Sequence, residues 1–547
     1  TRSDFIVVRV SGEAIGRAGG IAQGMSGSPI YIDGKLVGAL SRAAHWSKEI
    51  MPIGLITPIE PMLAVLDDIR SSEGSGRPAP QATLEHVRVV ETSAPPTAEQ
   101  IASAPEDTML VYPVATPLAA VGLSGRSVDL LMHGPMEADL PFPLISELLG
   151  GAMPRSRVQG LSSYGLTLLP LAAAADSASA DPSLLLPGGS VGVALATGDI
   201  SIGSLGTITY RDGDLLLAYG HPFIENGSSA FPLTQVLIID TLKSLQASFK
   251  LGALGDTVGT AMEDRSAAVG GRVGAFPTLV EVEWSVLDED QETRTAFDLG
   301  LVDEPRLMPN LLLSTGFQAI DTTLDRIGQG TVQVTYRIEG HGLSSALERT
   351  DLFLSSYDVA LYPPWQLASL VSYLQYNAFQ DPEITRISTS LSITQEIKGI
   401  RIVSLRLDRP YYHPGDTVLY EVHLQTFHGA SHVERGSLQI PASLATDFIE
   451  IRAYGGPRYL EAGETPQEFT SLDDIVDAIQ RIPSYDHLTV EMFAADLYGF
   501  DPYALFGVTE ETWTYPGFVV YNSRSRMVPV WPREDEEPPL SPSGKAG

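Results

Sequence analysis

The 547-residue chain has no cysteine, which excludes disulfides, thiolate metal centres and a cysteine nucleophile, although it identifies no compartment. Positive charge is also scarce. Lys and Arg total 35 against 67 Asp and Glu, and the resulting net charge of −32 repels phosphate backbones and anionic lipid headgroups over most of the surface. Nucleic acid is therefore not an expected partner. Histidine is sparse and scattered: ten residues, with no H-x-x-x-H pair on a recognisable helix, so a zinc site is not expected. Long apolar runs are missing as well. The longest, LTLLPLAAAA (166–175), is too short to cross a bilayer and is broken by Pro170, so no membrane span is expected.

What the chain does have is a globular composition, with 44% apolar and 19% charged residues, and enough length for two to four domains. Stretches rich in Ser, Pro, Gly and Ala at 71–81, 93–100 and 175–183 read as linkers or long loops between β-rich blocks. The acidic, Pro-rich tail 532–547 lacks large apolar residues and reads as disordered. The chain opens at Thr1 and enters the strand-like DFIVVRV at once. The expectation is that residues precede it, any signal peptide among them.

Short β-branched and aromatic runs bounded by turn residues dominate: FIVVRV, GTITY, LLLAY, TLVEVEWSV, TVQVTYRI, TRISTSLSI and TVLYEVHLQ. Two packing helices are expected. TPIEPMLAVLDDI offers Thr57 as N-cap, Pro58 at N1 and Glu60 at N3, with Ile59, Met62, Leu63, Leu66 and Ile69 on one face. SLDDIVDAIQRI repeats the pattern from Ser471. From Gly399 to Ala453, alternating strands joined by Pro-Gly and Gly turns read as a β-sandwich of immunoglobulin-like type.

The stretch GGIAQGMSGSPIYIDGKLVGAL (19–40) carries the most chemistry. Asp33-Gly34 is a two-residue hairpin turn, so Ser26 lies on the loop entering a hairpin. Gly24 and Gly27 permit backbone angles closed to other residues. A glycine two places before a serine can leave two N–H groups aimed at one point beside the hydroxyl, as an oxyanion hole requires. A glycine-rich turn without chemistry is the bland alternative.

The order of glycine, serine, glycine, small residue, proline, strand, Asp-Gly turn and second strand resembles the nucleophile region of trypsin-like serine peptidases. It resembles the SpoIVB peptidase family more closely, whose nucleophile lies in a Gly-Met-Ser-Gly-Ser-Pro motif after Gly-Gly-Ile. The resemblance is specific over 19–40 and extends toward TPIEPML. It implies Ser26 as nucleophile with the Gly24 and Ser26 amides as oxyanion donors, Ser28 being a small residue that fits the turn. A second region, LPGGSVGVAL and GSLGTITYRDGDLLLAYGHPF (186–223), also resembles the family, and its Gly-His segment makes His221 the candidate base. His45 has a weaker claim and reads as part of a surface loop.

Two departures from the family stand out. The family's histidine precedes its serine, whereas no histidine precedes Ser26 here; triads tolerate any chain order, and a base on residues preceding this chain is the alternative to His221. The family's aspartate falls where this chain has Ser11, with Glu13 out of register. Asp264, and after it Asp240, are the substitute acids. No PDZ module, such as the sporulation members carry, is recognisable.

The fold expected is mainly β: a trypsin-like double β-barrel core, a C-terminal β-sandwich and a few packing helices. The divisions expected are a Ser-bearing half (1–70), a linker (71–106), a β-rich connection (107–185) and a His-bearing half (186–290). A mixed α/β region (291–398), the sandwich with an appended helix (399–531) and the tail (532–547) follow. The function expected is a serine endopeptidase acting on protein or peptide substrates, with no cofactor and no metal. The resemblance implies an exported, extracytoplasmic location. The rivals are an inactive scaffold or binding protein of the cell envelope that keeps the peptidase fold, and an adhesion or carbohydrate-binding β-protein.

Overall fold

The computed structural model describes residues 5–47, 49, 51–71, 88–92, 96–114, 117–135, 148–149, 158–168, 182–243, 248–444, 447–458, 468–495 and 510–531. Most of the stretches read as linkers, and the tail from 532, lie outside the described residues. The chain is mainly β, and it divides into two units. No helix among the described residues is long and apolar enough to cross a membrane.

The first unit comprises Thr1–Ala138, Arg157–Glu283 and Phe297–Gln318. Its N-terminal sheet runs in the order Ile6–Arg9, Ile53–Pro58, Lys35–His45, Thr108–Pro113, Arg88–Glu91, with Pro29–Ile32 also on Lys35–His45. The hairpin forms where the Asp-Gly signal puts it: Asp33 and Gly34 have φ of 50° and 77°, the mirrored turn that matches strand twist. His45 belongs to no surface loop. It ends the strand Lys35–His45, paired with Leu110.

A second set of strands closes on itself. Ser190–Gly198, Gly227–Leu242, Phe249–Arg265, Ala268–Val273, Leu215–Ala218 and Ser201–Asp212 each pair antiparallel with the next, and the last pairs with the first. Closure leaves these six strands no unpaired edge, which fixes their register firmly. The N-terminal sheet does not close among the described residues.

The helix Ile59–Ser71 buries Met62, Val65, Leu66 and Ile69 against Ala39, Leu215, Leu217 and Ala268. Each such side chain contributes about 2 kcal/mol by leaving water. The apolar face is the expected one, but the capping box is not. Thr57 lies in the strand Ile53–Pro58, and its hydroxyl donates to the Gly220 carbonyl at 2.6 Å and lies 2.9 Å from Ser41 Oγ. A long-range partner has taken the oxygen that the local pattern assigned to the helix N-terminus.

The second unit comprises Asp139–Ser156, Trp284–Ala296 and Ala319–Gly547. Gly330–Gly340 lies between Leu347–Ser355 and Ile384–Thr394, both antiparallel to it. The helix Tyr362–Gln375 is buried on nearly every side. Such a helix shows no polar face, which is why no amphipathic stripe announces it in the sequence. Further on, two four-stranded sheets share one core that includes Ile402, Tyr420, Val422, Ile451 and Val490. Ser471 caps the helix Leu472–Arg481 as expected, its hydroxyl accepting from Asp474 N at 3.1 Å.

The helix is also held at its other end. Arg349, buried, pairs in bidentate fashion with buried Asp351 at 2.5 and 2.7 Å. Its remaining nitrogen Nη1 donates to the Ile479 and Ile482 carbonyls at 2.9 Å each, satisfying groups left open at the helix C-terminus. Arg349→Met leaves a buried carboxylate without its cation and should cost about 3 to 5 kcal/mol. Arg349→Met combined with Asp351→Leu should recover most of that loss. Urea unfolding checks this, and a single variant as stable as the parent would refute it.

Candidate functional site

All the residues singled out around Ser26 lie in the first unit. The turn that carries Ser26 is built by its glycines. Gly24 and Gly27 have φ of 86° and 89°, a region that side chains disfavour. At Gly27 space forbids a side chain too, since a Cβ there would overlap the Thr207 carbonyl and stand 2.6 Å from Tyr219 N. The turn is tied down on both flanks. Gly27 N donates to Leu40 O at 2.7 Å, Leu40 N to Ser28 O at 3.0 Å, and Thr207 N to Ser26 O at 2.9 Å. Ser28 Oγ donates to Met25 O at 2.6 Å and closes the turn from within.

Ser26 is buried at 0% exposure, and among the described residues its Oγ has no hydrogen-bond partner. A buried hydroxyl left unpaired costs on the order of 1 to 3 kcal/mol, so its retention asks for a reason. Among the described residues neither the Gly24 nor the Ser26 amide donates to a protein acceptor. Two unclaimed donors thus share a three-residue turn with an unclaimed hydroxyl. Donors of this kind stabilise an oxyanion without having to reorganise.

The His221 segment is brought to this turn. Tyr219 N donates to Thr207 O at 3.2 Å, so two backbone bonds through Thr207 lead from Ser26 to Tyr219. A Cβ on Gly220 would stand 3.0 Å from Ala39 Cβ and 3.3 Å from Leu40 O, on the strand that follows the serine hairpin. Tyr219 itself has φ of 70°, and its hydroxyl lies 2.7 Å from Ser204 Oγ. The imidazole does not bond Ser26. Its Nδ1 lies 2.6 Å from Pro222 O, and the Val114 backbone also bonds the ring. Burial pushes His221 down to about 4, a nearby Arg42 adds a smaller push the same way, and the two backbone acceptors oppose them. A neutral ring has one N–H for two carbonyls, so it is bonded well to only one of them.

Asp264 does not bond the imidazole. Its carboxylate accepts from the amides of Phe223, Ile224 and Asn226 at 2.6, 2.8 and 3.0 Å, fastening the loop that follows His221. Burial raises its pKa while those amides pull it down. Asp240 is exposed and accepts from its neighbour Thr241 N.

Two residues of this neighbourhood escape a reading of the sequence. Thr207 Oγ1 donates to Gly24 O at 3.0 Å, and Lys250 Nζ donates to Thr207 Oγ1 at 3.0 Å. The Lys250 stem lies over Gly24, and burial pushes its amine down to about 8. The only signal for Lys250 in the sequence is a cation set between Phe249 and Leu251 in an apolar strand.

The SpoIVB peptidase S55 family matches the chain over residues 1–46, the stretch that holds the Ser26 turn and its hairpin. The resemblance stated for residues 19–40 therefore stands for that segment. No curated protein sequence matches the chain.

Two outcomes follow from this geometry. Gly27→Ala should cost about 3 kcal/mol or more, because strain and overlap with backbone add, whereas Gly24→Ala meets only the Lys250 stem at 3.3 Å and should cost less. Thermal unfolding of both variants tests the order, and equal losses would contradict it. His221 binds a proton more readily unfolded than folded, so its contribution to stability is complete above pH 6.5 and is lost as pH falls toward 4. His221→Phe should remove on the order of 3 kcal/mol of that pH dependence. Identical acid sensitivity in parent and variant would show that the ring is not buried neutral.

Proposed function

We propose that the first unit is a SpoIVB-like serine endopeptidase site acting on protein or peptide substrates outside the cytoplasm. Ser26 Oγ is the nucleophile, the Gly24 and Ser26 amides hold the oxyanion, and the proton goes to one of two bases beside the turn, buried His221 or half-buried Lys250. Asp264 acts on His221 by fixing the loop behind it, as a positioning residue. The fold reading that goes with this is a trypsin-like core, the closed ring of six strands forming the His-bearing half, with an immunoglobulin-like sandwich toward the C-terminus.

One observation carries the reading. A partnerless hydroxyl and two amides without acceptors occupy one glycine-built turn, within the segment that the S55 family matches. Each such donor is worth about 3 to 4 kcal/mol to a tetrahedral intermediate. A second reading has support of its own. Ser26 is fully buried, the His221 ring is held by backbone, and Asp264 serves amides and not imidazole. These suit a scaffold that keeps the fold without the activity.

A fluorophosphonate separates the two, because it labels serine only where a base and oxyanion donors act together. Slow labelling at Ser26, located by peptide mass and abolished by Ser26→Ala, is the expected result. Folded protein that stays unlabelled between pH 6 and 9 would favour the scaffold.

A further inference from the structure

Resting on the serine-nucleophile reading above, we propose that Lys250 is the proton acceptor for Ser26, so that the site works as a serine–lysine pair. The lysine is placed by backbone bonding to the nucleophile segment itself. Gln23 N donates to Ser248 O at 2.7 Å and Lys250 N donates to Gln23 O at 3.0 Å, a parallel bridge one residue before Gly24. From there the side chain runs along the turn, its Cβ and Cδ each 3.3 Å from where a Cβ on Gly24 would stand. Its Nζ ends on Thr207 Oγ1, whose own hydroxyl donates to Gly24 O and whose amide donates to Ser26 O. One hydroxyl thus separates the amine from the Gly24 carbonyl, and the amide of the same threonine holds the Ser26 carbonyl.

No carboxylate among the described residues pairs with this amine. The elements packed against it set Gly24, Thr207 and Thr241 beside it. The titratable groups nearest on the same and the paired strand are Asp256 and Asp240, both exposed, and Lys243, whose stem lies against Gly19. Burial alone lowers the amine to about 8, so near that pH half the population carries a free lone pair. His221, at about 4 and held by two carbonyls, is the weaker base.

In the step proposed, Nζ leaves Thr207 and takes the proton from Ser26 Oγ as Oγ bonds to the acyl carbon. The carbonyl π pair moves to the oxygen held by the Gly24 and Ser26 amides. On collapse the C–N bond breaks, and the ammonium returns its proton to the departing amine. Water then repeats the sequence, giving its proton to Nζ and restoring the Ser26 hydroxyl.

The test is the rate of Ser26 phosphonylation by a fluorophosphonate from pH 6 to 10, read by mass spectrometry on the full chain. The parent rate should rise with a midpoint near 8. Lys250→Met should lower it about 100-fold or more. Lys250→Arg keeps the charge without an available lone pair and should be equally slow. Folded His221→Gln should keep the midpoint near 8, whatever its effect on the rate. A Lys250→Met or Lys250→Arg protein labelled like the parent overturns the assignment, as does a midpoint near 8 that disappears in folded His221→Gln; in either case Ser26 labelling in the parent leaves the peptidase reading standing. Should a Lys250 variant misfold, NMR titration of the Lys250 amine in the parent decides, with a midpoint near 10.5 overturning the proposal. A folded parent that never labels fails the peptidase reading itself, and this one with it.

Discussion

The close approach of the Ser26 turn to the Thr207 backbone is the constraint on which the rest of the site depends. Gly27 presses against the Thr207 carbonyl where no side chain fits, and Thr207 N reaches back to Ser26 O. Because Thr207 belongs to Ser201–Asp212, a member of the closed ring, the turn inherits the rigidity of six mutually paired strands. Rigidity of this kind keeps amides unclaimed, since a mobile turn would find them acceptors. The same strand pairs with the one that leads into Tyr219 and His221.

Around that contact the unit has arranged two bases in different ways, one buried and one half-buried. His221 is set between backbone carbonyls and kept neutral by burial, with Thr57 gripping Gly220 before it and Asp264 the amides after it. Every bond in this group fixes the segment and none reaches Ser26. Lys250 is held on the Thr207 hydroxyl, its stem against Gly24, with no counter-ion among the described residues. Position and electrostatics therefore assign different work to the two: the first organises, the second has a proton site to offer.

Much of this was legible in the sequence where the determinants are local. Asp33-Gly34 specifies its turn by backbone preference, Gly213 likewise between Ser201–Asp212 and Leu215–Ala218, and Ser471 caps the helix that begins beside it. The Gly-Met-Ser-Gly-Ser-Pro turn was legible because both glycines are needed for φ and Gly27 for space as well. Long-range partners defeated the reading elsewhere. Thr57 has the local pattern of an N-cap, yet Gly220, 163 residues away, takes its hydroxyl. Helix Tyr362–Gln375 has no polar stripe to show, and Lys250 meets Gly24 only through a bridge between distant segments.

The central claim is that the Gly24 and Ser26 amides form a donor pair beside a nucleophilic Ser26 Oγ. A crystal structure of the phosphonylated protein tests it most directly. The account predicts a covalent bond from phosphorus to Ser26 Oγ, with one phosphoryl oxygen about 3 Å from both amide nitrogens. An adduct on another residue, or a phosphoryl oxygen turned away from both amides, would contradict it.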